Sequence, residues 1–550
     1  MIETLRQRFL KVHPKDNVLV ALEDLPSGTL ISFNEHKFSL RQNIAAKHKF
    51  FEYDMVEGDD VIMYGTLVGR VQLHISSGDL MTTGNTKHAA SQYSYTNKKY
   101  YWNPPDVSHL SGMTFQGYKR SDGRFGTANY WLFVPTVFCE NRNLDVIKEA
   151  MWNELGYGVT GPYKRFTKEI FRAYRAGEDI YTVNLSPSVR NSNDRYFKNI
   201  DGIKFLNHTG GCGGTREDAA TLSNLLASYA NHPNVAGITL LSLGCQHLQI
   251  KHFIDDVKKR NPLFDKPVYV FEQQQIQTEE ELICEAIRKT FSGLVEINKI
   301  EREPAPLSEL CIGVKCGGSD GFSGISANPA IGYTSDLLVA LGGKVLLAEF
   351  PELCGAEQDL IDRCVTEEVA NKFTTLMQSY NLSALHAGSG FHMNPSPGNI
   401  KDGLITDAMK SIGAARKGGT SNVVSVLDYT EPVAASGLSL VCTPGNDVEA
   451  TTGQVASGAT IILFTTGLGT PTGNPIVPTI KIATNTSLAT KMKDIIDIDA
   501  GGIINGDKTI NEMGEEILQY CIKVASGEII TKAVQLAQDD FIPWKRGVSL

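Results

Sequence analysis

The run from Leu310 to Gly332 passes from an apolar segment, through a glycine-rich polar loop, into a segment typical of a helix start. Gly317 and Gly318 permit backbone angles that other residues resist, and Asn328-Pro329 is typical of a first helical turn. Strand, loop and helix in this order predict an open α/β sheet, in which ligands bind at the carboxyl edge of the strands. The run gathers six side chains capable of chemistry, which are Lys315, Cys316, Ser319, Asp320, Ser323 and Asn328. A tight turn capped by serine and aspartate is the purely structural alternative.

This loop does not match the common nucleotide-binding motifs. No G-K-[ST] closes it, as a Walker phosphate loop requires, and it lacks the G-x-G-x-x-G spacing of a dinucleotide site. The sequence therefore predicts a polar ligand other than a nucleotide, and no nucleotide cofactor.

Length and composition limit the class of protein. A chain of 550 residues is too long for one core, and 42% hydrophobic with 21% charged residues is ordinary for a globular protein. The net charge of −9 argues against nucleic acid as a partner. The first twenty residues carry charges throughout, unlike a signal peptide, and no uncharged apolar run reaches the length of a membrane span. The ten cysteines are scattered without a disulfide framework, so we expect a cytoplasmic protein.

Turn signals and hydrophobic patterns divide the chain. Residues 1–90 carry short β-prone runs that are typical of a small β-clip domain, and the polar, aromatic segment 91–114 is interpreted as a linker. Strands that alternate with helices then predict two α/β domains with largely parallel sheets, over residues 115–300 and 308–550. The predicted class is α/β with an N-terminal β domain.

Further polar loops follow predicted strands. The loop after residue 206 offers His208 and Cys212 for a metal and Arg216 for a carboxylate. The segment 349–357 offers Glu349 and Glu352, although a solvated acidic turn is the alternative. The segment 465–475 offers the hydroxyls of threonines, among them Thr470 and Thr472, to an anion or a sugar.

Four cysteines also fall just after predicted strands, namely Cys212, Cys245, Cys316 and Cys354. Three such thiolates could hold an iron–sulfur cluster. No C-x₂-C spacing supports that interpretation, and a single buried cysteine often serves as a small hydrophobic residue. A mononuclear divalent cation with histidine and carboxylate ligands is therefore favoured.

The N-terminal domain has its own candidates. Lys47 and His48 lie in one polar segment, with Lys49 beside them, and His88 ends the β-rich region. We hypothesise that residues 1–90 close over the α/β site, exclude water and contribute a histidine. Exposed polar side chains without a catalytic role are the alternative.

These motifs resemble those of the altronate/galactarate dehydratase family over nearly the whole chain. The N-terminal segment is similar to a SAF domain, a β-clip module. Ala128 and Leu468 stand where the family commonly has arginine. The segments that carry the resemblance are 47–49, 64–70, 84–88, 117–131, 208–213, 315–332, 394–399 and 464–473.

The resemblance implies dehydration of a sugar acid with a divalent metal, usually Fe²⁺, with Mn²⁺ as an alternative. Removal of the proton α to a carboxylate leaves an enediolate, which needs fixed donors or a cation, together with a base and an acid. The predicted catalytic residues are Lys315, Asp320, Ser319, Ser323 and His48. The predicted substrate-binding residues are Arg216, Asn328, Thr470, Thr472 and Lys47. The candidate metal ligands are His88, His208, Cys212, Glu349 and Glu352.

The preferred interpretation is a hydro-lyase that converts D-altronate to 2-keto-3-deoxy-D-gluconate. Galactarate as the substrate is one alternative, and a non-catalytic protein that binds sugar acids is another. The expected partner is a small sugar acid, without nucleic acid or membrane, and the chain is a candidate homo-oligomer. Sequence alone does not assign the base, the acid or the metal.

Overall fold

A computed structural model describes residues 7–546 apart from 34–35, 97–98, 160 and 186–194. The described residues form two compact units. The first unit contains residues 1–116 and 304–533, and the second contains residues 117–303 and 534–550. Each unit has its own parallel sheet.

The N-terminal part of the first unit is built from short antiparallel strands, as the turn-rich sequence predicts. They form the sheets β1-β2-β5 and β6-β7-β8 and the pair β3-β4. The strands are β1 Phe9–Leu10, β2 Val18–Ala21, β3 Leu30–Phe33, β4 His36–Ser39, β5 Lys49–Phe51, β6 Asp60–Met63, β7 Thr66–Val71 and β8 Thr86–His88.

The second unit contains a parallel sheet with the strand order β12-β11-β13-β14. Fully buried strands of this kind need no alternation of polar residues, and Tyr130–Pro135 is apolar on both faces. The elements from here to the end of this region are β9 Thr114–Lys119, β10 Phe125–Gly126, β11 Tyr130–Pro135, α1 Asn141–Glu154, α2 Gly161–Ala176, β12 Gly202–Phe205, α3 Arg216–Asn231, β13 Val235–Ser242, α4 Ile250–Arg260, β14 Val268–Glu272 and α5 Glu279–Ile297.

The C-terminal part of the first unit contains a seven-stranded parallel sheet within the described residues, in the order β18-β19-β17-β16-β20-β21-β22. Its elements begin with β15 Glu303–Pro306, β16 Cys311–Cys316, α6 Ala327–Ala340, β17 Lys344–Leu347, α7 Glu357–Asp362, α8 Glu367–His386, α9 Pro397–Lys401, α10 Asp407–Ala415, β18 Val423–Leu427 and β19 Gly437–Val441. They continue with α11 Asp447–Ser457, β20 Ile461–Thr466, β21 Thr479–Ala483, α12 Thr486–Lys491, β22 Ile498–Asp499, α13 Gly501–Asn505, α14 Ile510–Ala525 and α15 Lys532–Gln535.

The β domain and the C-terminal α/β part share one hydrophobic core within the first unit. Val18 and Phe51 of the β domain belong to the same buried cluster as Phe322, Ile405 and Met409. The segment interpreted as a linker is also attached, because the Tyr100 hydroxyl donates a hydrogen bond to the Thr420 carbonyl at 2.7 Å. The N-terminal strands are therefore part of the packing of this unit.

The predicted α/β class with an N-terminal β domain is confirmed. Among the described residues, no helix is both long and apolar enough to cross a membrane.

Candidate active site

The carboxyl ends of the central strands in the first unit hold a buried group of charged side chains. Lys315 and Cys316 end β16, and Glu349 and Glu352 follow β17. We call this group the lysine–carboxylate cluster, and its members are Lys315, Cys316, Glu349, Glu352, Lys410, Lys417 and Asp447. It lies where ligands bind in open α/β sheets.

Lys315 is the centre of the cluster. Its side chain is fully buried, and its Nζ donates to a carboxylate oxygen of Glu349 and pairs with Asp447 Oδ1 at 2.9 Å. Nζ also donates to the carbonyls of Cys316 at 2.7 Å and Gly445 at 3.2 Å. Lys315 is thus a buried strand residue, whereas the sequence pattern had placed it at the start of an open polar loop.

Lys417 gives the same glutamate a second cation. Its Nζ lies 2.7 Å from Glu349 Oε2 and 2.8 Å from Cys316 Sγ. The thiol of Cys316 donates in turn to Glu352 Oε2 at 3.7 Å. Lys410 completes the chain of contacts, because its Nζ lies 2.8 Å from Glu352 Oε1. Three lysines and three carboxylates therefore balance one another in a space that is almost closed to solvent.

The three lysines and Glu352 of the cluster are held in their charged forms. Burial lowers the pKa of Lys315, but the Glu349 and Asp447 carboxylates outweigh it and hold that pKa well above its usual range. Burial opposes ionisation of Glu352, yet Lys410 and the other lysines lower its pKa to about 2. Burial raises the pKa of Cys316, with Lys417 opposing, so this thiol is neutral. Such a preorganised set of charges can stabilise an anion that forms beside it.

Local backbone features position these groups. Glu349 has φ of 71°, in the left-handed region that non-glycine residues rarely adopt, and its amide donates to Thr443 Oγ1 at 3.0 Å. A Cβ on Gly317 would lie 2.5 Å from the Asp447 carboxylate oxygens. Strain of this kind is typical of functional sites, and glycine is needed where the Asp447 side chain approaches the backbone.

The structure brings together Lys315, Glu349 and Glu352, which the sequence predicts as site residues. The sequence does not predict Lys410, Lys417 and Asp447, which come from α10, from the short 3₁₀ turn Arg416–Gly418 and from the first residue of α11. No motif marks them. The available signals are a lysine before Gly418-Gly419 and an aspartate directly after Asn446, a residue type that favours helix starts.

Asp320 forms a second buried centre. Its Oδ1 accepts from Ser323 Oγ at 3.1 Å, and its Oδ2 accepts from Thr484 Oγ1 at 3.1 Å. Lys47 Nζ of the β domain lies 3.1 Å from Asp320 Oδ2 and also 3.1 Å from Asp402 Oδ1. Because both carboxylate oxygens of Asp320 already accept hydrogen bonds, Asp320 and Ser323 are suited to fixing the loop after β16 and to anchoring Lys47.

Lys49 is the lysine of this region with a depressed pKa. Its fully buried Nζ donates to the carbonyls of Gly403 at 2.7 Å and Lys47 at 2.9 Å. Burial lowers the pKa of Lys49 to about 7, while the nearby Asp320 carboxylate opposes that shift. Lys49 therefore joins the β domain to the C-terminal part through backbone carbonyls.

The other predicted residues of the first unit differ in their surroundings. Ser319 Oγ is buried and has no hydrogen-bond partner in the described structure, so it is available to a ligand. The side-chain amide of Asn328 donates to the Gly413 carbonyl at 3.0 Å, and its side-chain oxygen accepts from Thr465 Oγ1 at 2.6 Å. These bonds indicate a structural role. Thr470 and Thr472 are half-buried after β20.

His48 is half-buried, and a hydrogen bond joins its ring Nδ1 to the Ala46 carbonyl at 3.3 Å. His48 therefore lies in the same polar segment as Lys47, as the sequence indicates. Its catalytic role stays a prediction.

The carboxylates after β17 do not suit a divalent cation as they stand. Ligand atoms of Cys316, Glu349 and Glu352 lie within 4.8 Å of one another. However, Lys315 and Lys417 occupy Glu349, and Lys410 occupies Glu352. A metal ion would have to displace these ammonium groups, so this arrangement argues against the predicted metal role of Glu349 and Glu352.

His88, Cys354 and Asp407 form a second group whose ligand atoms lie within 4.8 Å of one another. The amide of Ala408 donates to His88 Nδ1 at 3.2 Å, so the proton of the neutral ring is on Nε2. Burial raises the pKa of Asp407 to about 8. Burial also raises the pKa of the Cys354 thiol. Because Asp407 and Cys354 both keep their protons, the arrangement fits a hydrogen-bonded group better than the predicted metal site at His88.

Asp407 gives a testable pH dependence of stability. Its pKa is raised by burial from 3.8 to about 8 in the folded protein. The stability from its neutral carboxyl is fully present below about pH 4 and is lost as the pH rises through about 8. We expect the melting temperature of Asp407→Asn, relative to wild type, to rise between pH 5 and pH 9 in thermal unfolding. A difference that is the same at every pH would contradict this assignment.

The predicted residues of the second unit are His208, Cys212 and Arg216. His208 is buried, with Nε2 bonded to the Pro135 carbonyl at 2.8 Å and Nδ1 accepting from the Gly210 amide at 3.1 Å. Burial lowers the pKa of His208 to about 4, so it is a neutral residue that holds its loop, and these bonds argue against a metal role. Cys212 is exposed, and Arg216 is exposed at the first position of α3.

Comparison with protein-family models matches three successive segments. Residues 7–89 match the altronate/galactarate dehydratase SAF domain, and residues 117–298 match the second domain of D-galactarate dehydratase/altronate hydrolase. Residues 307–549 match the D-galactarate/altronate dehydratase C-terminal domain. The chain belongs to the altronate/galactarate dehydratase family.

Curated relatives of this family align along almost their whole length. Altronate dehydratase of Escherichia coli K12 is 34% identical over 95% of this chain and 96% of its own, and altronate dehydratase of Bacillus subtilis 168 is 35% identical with the same coverage. Galactarate dehydratase (L-threo-forming) of Escherichia coli K12 is 32% identical over 96% of this chain and 94% of its own. The prediction of a hydro-lyase of the sugar-acid dehydratase class is confirmed at this level.

Proposed function

We propose that this chain converts D-altronate to 2-keto-3-deoxy-D-gluconate and water. The two altronate dehydratases support this substrate, since they align over 95% of the chain at 34% and 35% identity. The galactarate dehydratase is 32% identical, so galactarate is the second candidate. The observation that carries the proposed chemistry is the buried lysine–carboxylate cluster at the carboxyl ends of β16 and β17.

The cluster provides the groups that dehydration of a sugar acid needs. Loss of the proton α to the carboxylate forms an enediolate, whose negative charge requires fixed donors at its oxygens. Lys315 and Lys417 are fixed cations that need no reorganisation, because Glu349 already holds both. The unpartnered hydroxyl of Ser319 adds a neutral donor in the loop after β16. The carboxylate of a bound sugar acid would replace part of the contacts that these lysines make with Glu349.

We assign the base and the acid of this proposal by charge. Burial raises the pKa of Glu349, with Lys315 and Lys417 opposing, which moves it toward the range that suits a general base. Lys315 is held charged, so it is unsuited to taking a proton, and it is the group beside Glu349 that carries one for the departing 3-hydroxyl. Glu349 then acts as the base and Lys315 as the acid.

Iron remains part of this proposal. Neither group of potential ligands described in the first unit suits a divalent cation in its present hydrogen bonding, so no step of the reaction is derived through a metal there. The predicted need for a cation is tested by removing metal with a chelator and restoring it with Fe²⁺. The cytoplasmic location and the homo-oligomer stay predictions of the sequence.

Substrate choice is tested with a panel of aldonates and aldarates. Purified protein, supplied with Fe²⁺ under reducing conditions, should form a 2-keto acid from D-altronate, with a kcat/KM at least about tenfold above that for galactarate. This ratio corresponds to about 1.4 kcal/mol of discrimination in the transition state. A higher kcat/KM for galactarate would transfer the assignment to the second candidate, and no product from any sugar acid would favour a binding protein.

A further inference from the structure

Three cysteines lie at one edge of the parallel sheet in the second unit. Cys139 follows β11, Cys212 follows β12 and Cys245 follows β13. These strands are neighbours, because β11 pairs in parallel with both β12 and β13. The carboxyl ends of parallel strands meet at the same edge, so the three loops share one face of the sheet. All three cysteines are free and exposed in the described structure.

Backbone hydrogen bonds join the three loops directly. The Phe138 amide, beside Cys139, donates to the Gly210 carbonyl at 3.1 Å. The His247 amide, two residues beyond Cys245, donates to the Gly211 carbonyl at 3.2 Å. The central loop, which carries Cys212, is therefore bonded to both of the others within two residues of each cysteine.

The central loop also approaches the end of β11 more closely than a side chain allows. A Cβ on Gly211, whose φ is 97°, would lie 2.2 Å from the Thr136 carbonyl oxygen. Glycine is needed here for both its conformation and its size. The neighbouring Cys212 is thus held directly over the strand that leads to Cys139.

Buried polar residues fix these loops from below. His208 bridges the Pro135 carbonyl and the Gly210 amide. The fully enclosed amide of Gln246 donates to Ser242 Oγ at 2.7 Å and to the Leu248 carbonyl at 2.9 Å, and it accepts from the Gly244 amide at 2.7 Å. The loops that carry the thiols are therefore supported by residues committed to holding them, as a preorganised site requires.

The surroundings favour a negatively charged group. Helices α1, α3 and α4 begin at Asn141, Arg216 and Ile250, each within five residues after one of the cysteines. The N-terminal ends of helices carry partial positive charge and stabilise anions beside them. Thiolates bound to iron would benefit from three such ends at this edge.

We propose that Cys139, Cys212 and Cys245 hold an iron–sulfur cluster of the [4Fe–4S] type. Three thiolates bind three of its irons, and the fourth iron has no cysteine ligand. Among the described residues, the groups whose donor atoms converge within 4.8 Å are the two in the first unit.

This inference revises the interpretation of the cysteines made from sequence. Cys212 and Cys245 were grouped there with Cys316 and Cys354, which lie in the other unit and are committed to the contacts described above. Cys139 was not included, because its place at the end of a neighbouring strand becomes visible only in the sheet order. The missing C-x₂-C spacing is explained, since each thiol comes from a different strand.

Anaerobic reconstitution of the full chain with Fe²⁺ and sulfide tests the proposal. We expect about four irons and four sulfides per chain, visible charge-transfer absorption, and a paramagnetic signal after reduction. Cys139→Ala, Cys212→Ala and Cys245→Ala should each lower bound iron and sulfide at least about threefold. Cys284→Ala is the matched control, since this cysteine is also free and exposed but lies on α5, and it should retain the full content.

Wild type that binds a single iron without sulfide, or a triple variant that retains the cluster, would overturn the proposal. A second measurement does not depend on the variants being folded. Alkylation of the reconstituted wild type, read by mass spectrometry, should spare Cys139, Cys212 and Cys245 while modifying Cys284. Equal modification of all four thiols would overturn the proposal as well. Both readouts are independent of which sugar acid the enzyme uses.

Discussion

Lys315→Met should lower kcat for the keto-acid product by about 10²–10⁴-fold, the usual contribution of a general acid or base. The same change should cost about 3–5 kcal/mol of folding stability, because it leaves Glu349 buried beside one cation where it had two. The measurements are steady-state kinetics and denaturant unfolding of the purified variant. The cost in stability follows from the position of Lys315 inside a buried strand.

A double variant separates catalysis from stability. In Lys315→Met with Glu349→Gln, the cluster again has equal numbers of lysines and carboxylates, so the unfolding free energy should rise from that of Lys315→Met toward that of wild type. Activity should stay at least 10²-fold below wild type, because both proposed catalytic groups are missing. Recovery of activity together with stability would show that the pair holds the fold and has no chemical role.

Removal of residues 1–90 should prevent the rest of the first unit from folding. The β domain covers Phe322, Ile405 and Met409 in a shared core, and exposure of each large apolar side chain costs about 1.5–3 kcal/mol. The deletion also removes the Lys47 partner of the buried Asp320. Since a domain is stable by only about 5–15 kcal/mol, residues 304–533 of fragment 91–550 should lack a cooperative unfolding transition, measured by hydrogen exchange so that the second unit is followed separately.

Point variants then test the hypothesis that the β domain contributes to the site. His48→Ala should keep the wild-type melting temperature, since its ring makes a long hydrogen bond to the Ala46 carbonyl two residues away. A loss of kcat in this folded variant would support a catalytic histidine. A sharp unfolding transition of residues 304–533 in fragment 91–550 would contradict the shared core, and normal turnover by that fragment would rule out a catalytic lid.

The class of the fold could be predicted from hydrophobic periodicity. The run Leu310–Gly332 becomes β16, a loop and α6, as expected from its apolar start and its Asn328-Pro329 helix signal. The exact end of the strand could not be predicted, because a lysine normally ends an apolar run. Lys315 is kept inside the sheet by Glu349 and Asp447, which come from distant parts of the chain.

For the same reason, only part of the candidate site could be predicted from the sequence. Motifs identify side chains on loops that follow strands, such as Glu349 and Glu352. Lys410 and Lys417 reach the cluster from α10 and the turn after it, and only the packing of that helix brings them there. Asp320 looked catalytic by residue type, but the number of its hydrogen bonds indicates that it fixes the loop.

The rate of 2-keto acid formation from D-altronate by the folded Lys315→Met, Glu349→Gln variant tests the central claim most directly. Wild type and variant should be compared after the same anaerobic iron treatment, at one assay temperature that lies below the melting temperatures of both. If the lysine–carboxylate cluster is the catalytic site, wild type should turn over D-altronate and the rate of the variant should be at least about 10²-fold lower. A variant that is folded and turns over within a few-fold of wild type would contradict it.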